Sequence, residues 1–154
     1  MALEFLDRYG EAIVKTITGV RGTAMLVTAG HLDDFTSSQG PIHLQQRIEG
    51  FDVRVHLVGE EVFGERIDTT CVDYRTRGAD ARYRPISVPD ELRQVMISAA
   101  RGMGLEFTGW DFRVDGRGRW WCLEANPMPG YDWYDLRCDG AISDAVCRLL
   151  VSSP

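Results

Sequence analysis

Apolar and polar residues alternate along this chain with two periods, and the switches between them mark its elements. In Asp52-Val53-Arg54-Val55-His56-Leu57-Val58, the residues Val53, Val55 and Leu57 point one way and Asp52, Arg54 and His56 the other, the two-residue period of a strand. Strand-like runs are also expected around Ala12-Ile13-Val14, at Ala24 to Thr28, at Ile42 to Ile48 and at Val62 to Asp68, with Gly59-Glu60-Glu61 as a tight connection. Helical spacing takes over in Ala2 to Arg8, in the short stretch His31 to Phe35, and after Pro89, where Leu92, Val95, Met96 and Ala99 form a stripe closed by Gly102 and Gly104. Asp139 to Val151 predicts a last amphipathic helix with Ile142, Ala145, Val146, Leu149 and Leu150 inward. Residues 69 to 88 read as a long arginine-rich loop. The expected fold class is α+β, with mostly antiparallel sheets and packed helices.

The stretch FTGWDFRVDGRGRWWCLEANP, residues 107 to 127, reads as a hairpin turning at Asp115-Gly116-Arg117-Gly118. Pairing Val114 with Trp121, Phe112 with Leu123 and Trp110 with Ala125 buries all six on one face, and a one-residue slip would reverse the faces. That register sets Asp111 opposite Glu124, with Asn126 two residues further on the same side. Directly opposed carboxylates repel, so a positive charge is expected between them. A hard cation such as magnesium suits oxygen donors from Asp, Glu and Asn. The alternative is an ion pair with Arg54 or Arg113, and a solvated polar face remains open for Asp52, Arg54 and His56.

Composition changes this picture at one position. Seventeen residues are Lys or Arg, and all except Lys15 are arginine. Lys15 ends an apolar run and is followed by the glycine turn Thr18-Gly19-Val20-Arg21-Gly22. Such a turn can aim backbone N–H groups at phosphate beside a mobile ammonium, although an ordinary hairpin with a surface lysine fits too. The net charge of −6 argues against a nucleic-acid partner, despite the local cluster Arg75, Arg77, Arg82 and Arg84. The sequence contains neither an 18-residue apolar run nor a signal-like N-terminus, which predicts a cytoplasmic protein without a membrane partner. Cys71, Cys122, Cys138 and Cys147 show no zinc spacing and are expected as reduced thiols.

The ordered set IVKTITGVRG, LQQRIEGFDVRVHLVG, GWDFRVD and WCLEANPMPGYDWYD resembles the ATP-grasp superfamily, nearest its glutamate-ligase-like branch of peptide-modifying ligases. The resemblance covers almost the whole chain, and Glu124-x-Asn126-x-x-Pro129-Gly130 with Asp111 is its most specific part. It implies two α+β subdomains gripping Mg·ATP, and a carboxylate activated as an acyl phosphate for attack by an amine. By position it implies that Lys15 contacts phosphate, that the loop from Gly19 to Gly22 closes over it, and that the Gln46 carbonyl and Ile48 N–H meet the adenine edge. Asp52 falls at the ribose position, Arg54 and Arg66 at the catalytic arginines, and Asp111, Glu124 and Asn126 at the magnesium ligands.

The match departs from the family at Thr16, where proline is common after the lysine, and at Thr23, where glycine is often found. Family members also carry an N-terminal domain and an upstream ATP-binding lysine, and neither precedes the matching segment. The expectation is therefore an ATP-grasp fold lacking its N-terminal domain: residues 1–48 a partial lid subdomain with the glycine-rich loop, and residues 49–154 the C-terminal subdomain with the metal site. Its function would be that of an ATP-dependent carboxylate–amine ligase module using ATP and Mg²⁺. Its partners would be carboxylate and amine substrates, a peptide among them, and an uncovered apolar edge would favour homo-oligomers. The alternatives are a nucleotide-binding or protein-interaction module without turnover, and an ATP-grasp small-molecule kinase.

Overall fold

The computed structural model describes residues 2–16, 24–34, 41–76 and 78–152. The chain divides into two compact units, Met1–Ile48 with Thr69–Ala81, and Glu49–Asp68 with Arg82–Pro154. All strand pairings among the described residues are antiparallel, so the α+β class with antiparallel sheets is what the protein adopts.

In the first unit, helix α1 (Ala2–Tyr9) precedes strand β1 (Ala12–Thr16), which is flanked by β2 (Met25–Val27) and β3 (Ile42–Gln46) in the order β2-β1-β3. Alternation in β1 turns Ala12 and Val14 inward, where they bury with Leu6 and Val27 against Phe5, Ile42 and Leu44. Two turns of 3₁₀ helix cover Ala29–Asp34, starting two residues earlier than the expected helix. The segment Thr69–Ala81 also belongs here. Its buried Asp73 accepts hydrogen bonds from Ala24 N–H at 3.5 Å and from the Arg75 side chain at 2.9 Å.

The second unit is a five-stranded sheet in the order β6-β5-β4-β7-β8, formed by β4 (Gly50–Val58), β5 (Glu61–Asp68), β6 (Arg82–Pro85), β7 (Phe107–Asp115) and β8 (Trp120–Asn126). On one face Val53, Val55 and Leu57 pack with Trp110, Phe112 and Val114 against Met96, Ile97 and Ala100 of helix α2 (Asp90–Gly102). The α2 stripe is rotated from the expected one: Leu92, Met96 and Ala99 face the sheet, but Val95 is 62% exposed. On the other face, near the end of β4, Val58 buries against Ile142 and Ala145 of helix α4 (Ala141–Ser152), beside Tyr131 and Tyr134. Tyr134 lies in a short helix that the apolar spacing did not predict, α3 (Asp132–Arg137). Leu150, expected inward on α4, is 70% exposed.

Gly50 is required at the mouth of this sheet. At φ +150°, any Cβ there would stand 1.9 Å from the Val114 carbonyl oxygen. The β7–β8 hairpin keeps the expected pairs Trp110 with Ala125 and Asp111 with Glu124, then shifts register so that Phe112 faces Cys122 and Val114 faces Trp120. Leu123 is the extra residue of this bulge. The bulge lets Trp120, rather than Trp121, reach the core, and Trp121 is instead 40% exposed and donates to Asp115 at 3.1 Å.

Candidate functional site

The polar face of β4 is a paired surface. Strand β4 reads Asp52-x-Arg54-x-His56 and strand β7 reads Gly109-x-Asp111-x-Arg113, and the antiparallel register sets Asp52 opposite Arg113, Arg54 opposite Asp111 and His56 opposite Gly109. Because both strands carry Asp before Arg, running them in opposite directions places unlike charges face to face. Arg54 Nη1 donates to Asp111 Oδ1 at 2.8 Å with side chains 7% and 16% exposed, and Arg113 Nη1 donates to Asp52 Oδ2 at 2.8 Å. A solvated face is thereby ruled out for Asp52, Arg54 and His56, which are all buried.

One strand further, Glu124 stands beside Asp111 and Asn126 beside Gly109. Glu124 is exposed, and the Asn126 side-chain oxygen accepts the Met128 N–H at 2.8 Å. The sequence left two readings for Asp111, a cation site or an arginine pair. The structure holds the Arg54 pair, and it leaves Glu124 outward beside it. The neighbouring Cys122 thiol is pushed up, first by burial and then by the charge of Asp111. Among the described residues no three His, Cys, Asp or Glu side chains gather as a metal group; Asp111, Glu124 and Asn126 offer two carboxylates and one amide. An all-oxygen set of that kind, with exposed Glu124 at its edge, fits magnesium, which keeps waters or phosphates in its other positions.

Arg54 is enclosed on its remaining sides. A Cβ at Gly109 would come 2.3 Å from Arg54 Nη2 and 2.6 Å from Pro129 Cβ, so only glycine lets guanidinium and proline close over this strand. The Tyr134 ring lies 6.0 Å from the Arg54 guanidinium carbon and 4.8 Å from the His56 ring. His56 Nε2 is 3.2 Å from the Gly130 carbonyl oxygen, and burial followed by the Arg54 charge lowers its pKa to about 4. Beside Arg54 on β5, Glu65 receives a two-pronged bond from Arg137 at 2.7 and 2.6 Å, and Arg137 also stacks on Tyr83 and Tyr134.

Arg66 does not join Arg54. It faces Val53 and Arg84 in register, which puts it on the α2 side of the sheet, where it stacks on Phe51 at 3.5 Å and bonds Asp68. Asp52 shares the face of Arg54 but is committed to Arg113. In the first unit, Lys15 is a half-buried β1 residue opposite His43, Gln46 ends β3 opposite Ala12, and Ile48 lies two residues beyond that strand. Gly19, Gly22 and Arg77 lie outside the described residues. Arg75 is held by Asp73, and Arg84 sits 3.4 Å from Asp68. Glu65 carries no signal in the sequence, whereas the alternation of β4 aligns His56 with Arg54 and Tyr134 lies within the matching stretch WCLEANPMPGYDWYD.

No family model matches the sequence. D-alanine–D-alanine ligase of Alkalilimnicola ehrlichii is 33% identical over 125 residues, covering 69% of this chain and 40% of that protein. The solved ATP-grasp ligase PsnB, complexed with a phosphomimetic variant of its minimal precursor, Mg and ADP, superposes with TM-score 0.76 at 27% identity, over 95% of this chain and 49% of that one. The Chryseobacterium gregarium RiPP-associated ATP-grasp ligase, in complex with ADP and a leader and core peptide, has the same fold with TM-score 0.81 at 17% identity, over 99% of this chain and 52% of that one. The chain thus spans about half the length of the solved ligases it matches. Among the described residues, no helix is long and apolar enough to cross a membrane.

Proposed function

Because the chain belongs to the ATP-grasp superfamily, we propose that it is a module of an ATP-dependent carboxylate–amine ligase that acts on a peptide. The observation that carries this reading is the grouping of Arg54, Asp111, Glu124 and Asn126 on one face of a rigid sheet, an anionic oxygen donor set with a fixed guanidinium beside it. Asp111, Glu124 and the amide oxygen of Asn126 would hold magnesium. When bound, that ion offsets the charge of the nucleotide phosphates. Lys15 supplies a phosphate contact, the loop with Gly19 and Gly22 covers the phosphates, and the backbone of Gln46 and Ile48 receives adenine. Asp52, tied to Arg113, holds the ribose end of this face.

In the proposed reaction a substrate carboxylate oxygen attacks the γ-phosphorus of ATP and ADP leaves. The amine nitrogen of the second substrate then attacks the acyl carbon, inorganic phosphate leaves with the C–O bond electrons, and the nitrogen gives up a proton. Positioning and charge stabilisation dominate phosphoryl transfer, so the protein needs fixed positive groups more than a base. Arg54 meets that need. Its guanidinium is oriented by Asp111 and walled by Tyr134, and its planar fork suits phosphoryl and carboxylate oxygens.

The test is ligand-dependent melting. Mg·ATP is expected to raise the melting temperature, as a ligand that binds only the native state must, and Lys15→Ala and Glu124→Gln are each expected to remove most of that rise. An equal rise in both variants would overturn the reading. Binding with no ADP formation on addition of carboxylate and amine substrates would identify a binding module instead.

A further inference from the structure

His56 has no part in the chemistry above, yet it is 1% exposed in the middle of the polar face. Burying an imidazole is costly unless it is hydrogen-bonded, and an aliphatic side chain would fill the same space without that cost. The one close polar contact that His56 makes to the loop after β8 is to the main chain of Gly130. A carbonyl oxygen only accepts, so His56 Nε2 carries the proton and donates at 3.2 Å. Arg54 Nε–H points at the same nitrogen from 3.5 Å and could be accepted only in the other tautomer; the shorter contact to the Gly130 carbonyl selects the Nε2–H form.

Two further features fasten the same turn. Asn126 accepts the Met128 N–H at 2.8 Å, and Pro129 lies over Gly109 so closely that a Cβ on that glycine would stand 2.6 Å from Pro129 Cβ. The residues that follow β8 are therefore held at three successive points, Met128, Pro129 and Gly130, by Asn126, Gly109 and His56. The turn ends beside the guanidinium of Arg54, while Met128 itself is 86% exposed.

We propose that His56 is a positioning residue, whose Nε2–H bond to the Gly130 carbonyl and contact with Arg54 set the 128–131 turn at a fixed depth beside the Arg54–Asp111 pair and so hold that pair in place for the nucleotide. The effect of the turn on nucleotide binding rests on the ligase reading. The anchoring itself is a property of the ligand-free protein and is measured there.

The experiment compares wild type, His56→Phe and His56→Gln in the full chain by amide hydrogen exchange, with Mg·ATP titrations in parallel. Phenylalanine keeps the packing and removes the donor, whereas glutamine keeps a donor. Losing one buried hydrogen bond is expected to speed exchange across residues 128–134 about fivefold to tenfold in His56→Phe, to leave β4 and β7 unchanged, and to weaken Mg·ATP by several-fold, with His56→Gln in between. Wild-type exchange in the turn of His56→Phe overturns the anchoring. Faster exchange with unaltered Mg·ATP affinity overturns the coupling to Arg54. Should His56→Phe fail to fold, two-bond ¹H–¹⁵N spectra of the wild type decide: a neutral Nε2–H imidazole at pH 7 is expected, and an Nδ1–H tautomer or an imidazolium overturns the proposal. Absence of any Mg·ATP response in the wild type falls on the ligase reading, and with it on the effect of the turn on nucleotide binding, separately from the exchange result.

Discussion

The two faces of strand β4 are built from alternate residues of one nine-residue segment, and they are stabilised by opposite means. Val53, Val55 and Leu57 meet α2 in an apolar core where shape and area decide the energy. Asp52, Arg54 and His56 are equally buried on the reverse, but each is held by a named partner: Arg113, Asp111 and the Gly130 carbonyl. The apolar face is expected to tolerate exchange of like for like, and the polar face to be sensitive to removal of a single member of a pair. A sheet with one face of each kind can hold charged groups rigidly without losing its core.

The largest expected effect breaks the apolar side. Phe112, 2% exposed and edge-on to Trp120 at 5.5 Å, is expected to cost about 3–5 kcal/mol of stability as Phe112→Ala, read by urea denaturation. Mg·ATP affinity of the fraction that remains folded is expected to be unchanged.

On the polar side, Arg54→Leu leaves Asp111 without its cation and is expected to cost about 2–3 kcal/mol, the lower end for a buried pair because Asp111 is partly exposed. The double variant Arg54→Leu with Asp111→Leu is expected to recover much of that loss. If it recovers nothing, the pair is not what makes this face sensitive.

Acid sharpens the contrast further. The folded pKa of His56 is depressed to about 4, so between that value and its ordinary 6.5 the unfolded chain binds a proton that the folded chain does not. Its contribution is therefore constant above pH 6.5 and is lost as pH falls through that window. The loss is on the order of 2 kcal/mol at pH 5, and His56→Phe is expected to flatten it. Denaturation at pH 7 and pH 5 provides the test.

The smallest stability effect belongs to Glu124→Gln. Its side chain is exposed, so the change is expected to move stability by less than about 0.5 kcal/mol while removing magnesium-dependent nucleotide binding. A folding defect instead would mark Glu124 as a structural residue.

Much of the fold was legible because the signals are local. Alternation in β4, the glycines of the β7–β8 turn and Pro89 before α2 act within a few residues of themselves, and their elements stand where the pattern puts them. The Asp111–Glu124 pair was legible for the same reason, since a hairpin converts sequence separation into register. Leu123 was not: all the residues around it are compatible with either register, and the bulge is chosen by which tryptophan fills the core.

The same division of causes runs through the site. The sequence alone determined that Asp52, Arg54 and His56 share a side, because the pleat of a strand is a property of its own backbone. It carried no information on where Arg66 would lie, since β5 has an apolar residue on each side, Phe63 and Ile67 on one and Val62 on the other. Register against β4, set by long-range packing, turned Arg66 toward Phe51 and away from Arg54. Tertiary structure also decided that the polar side would be buried at all. Charges face solvent unless partners arrive, and those partners come from β7 and from the turn at Gly130, 57 and 74 residues away along the chain.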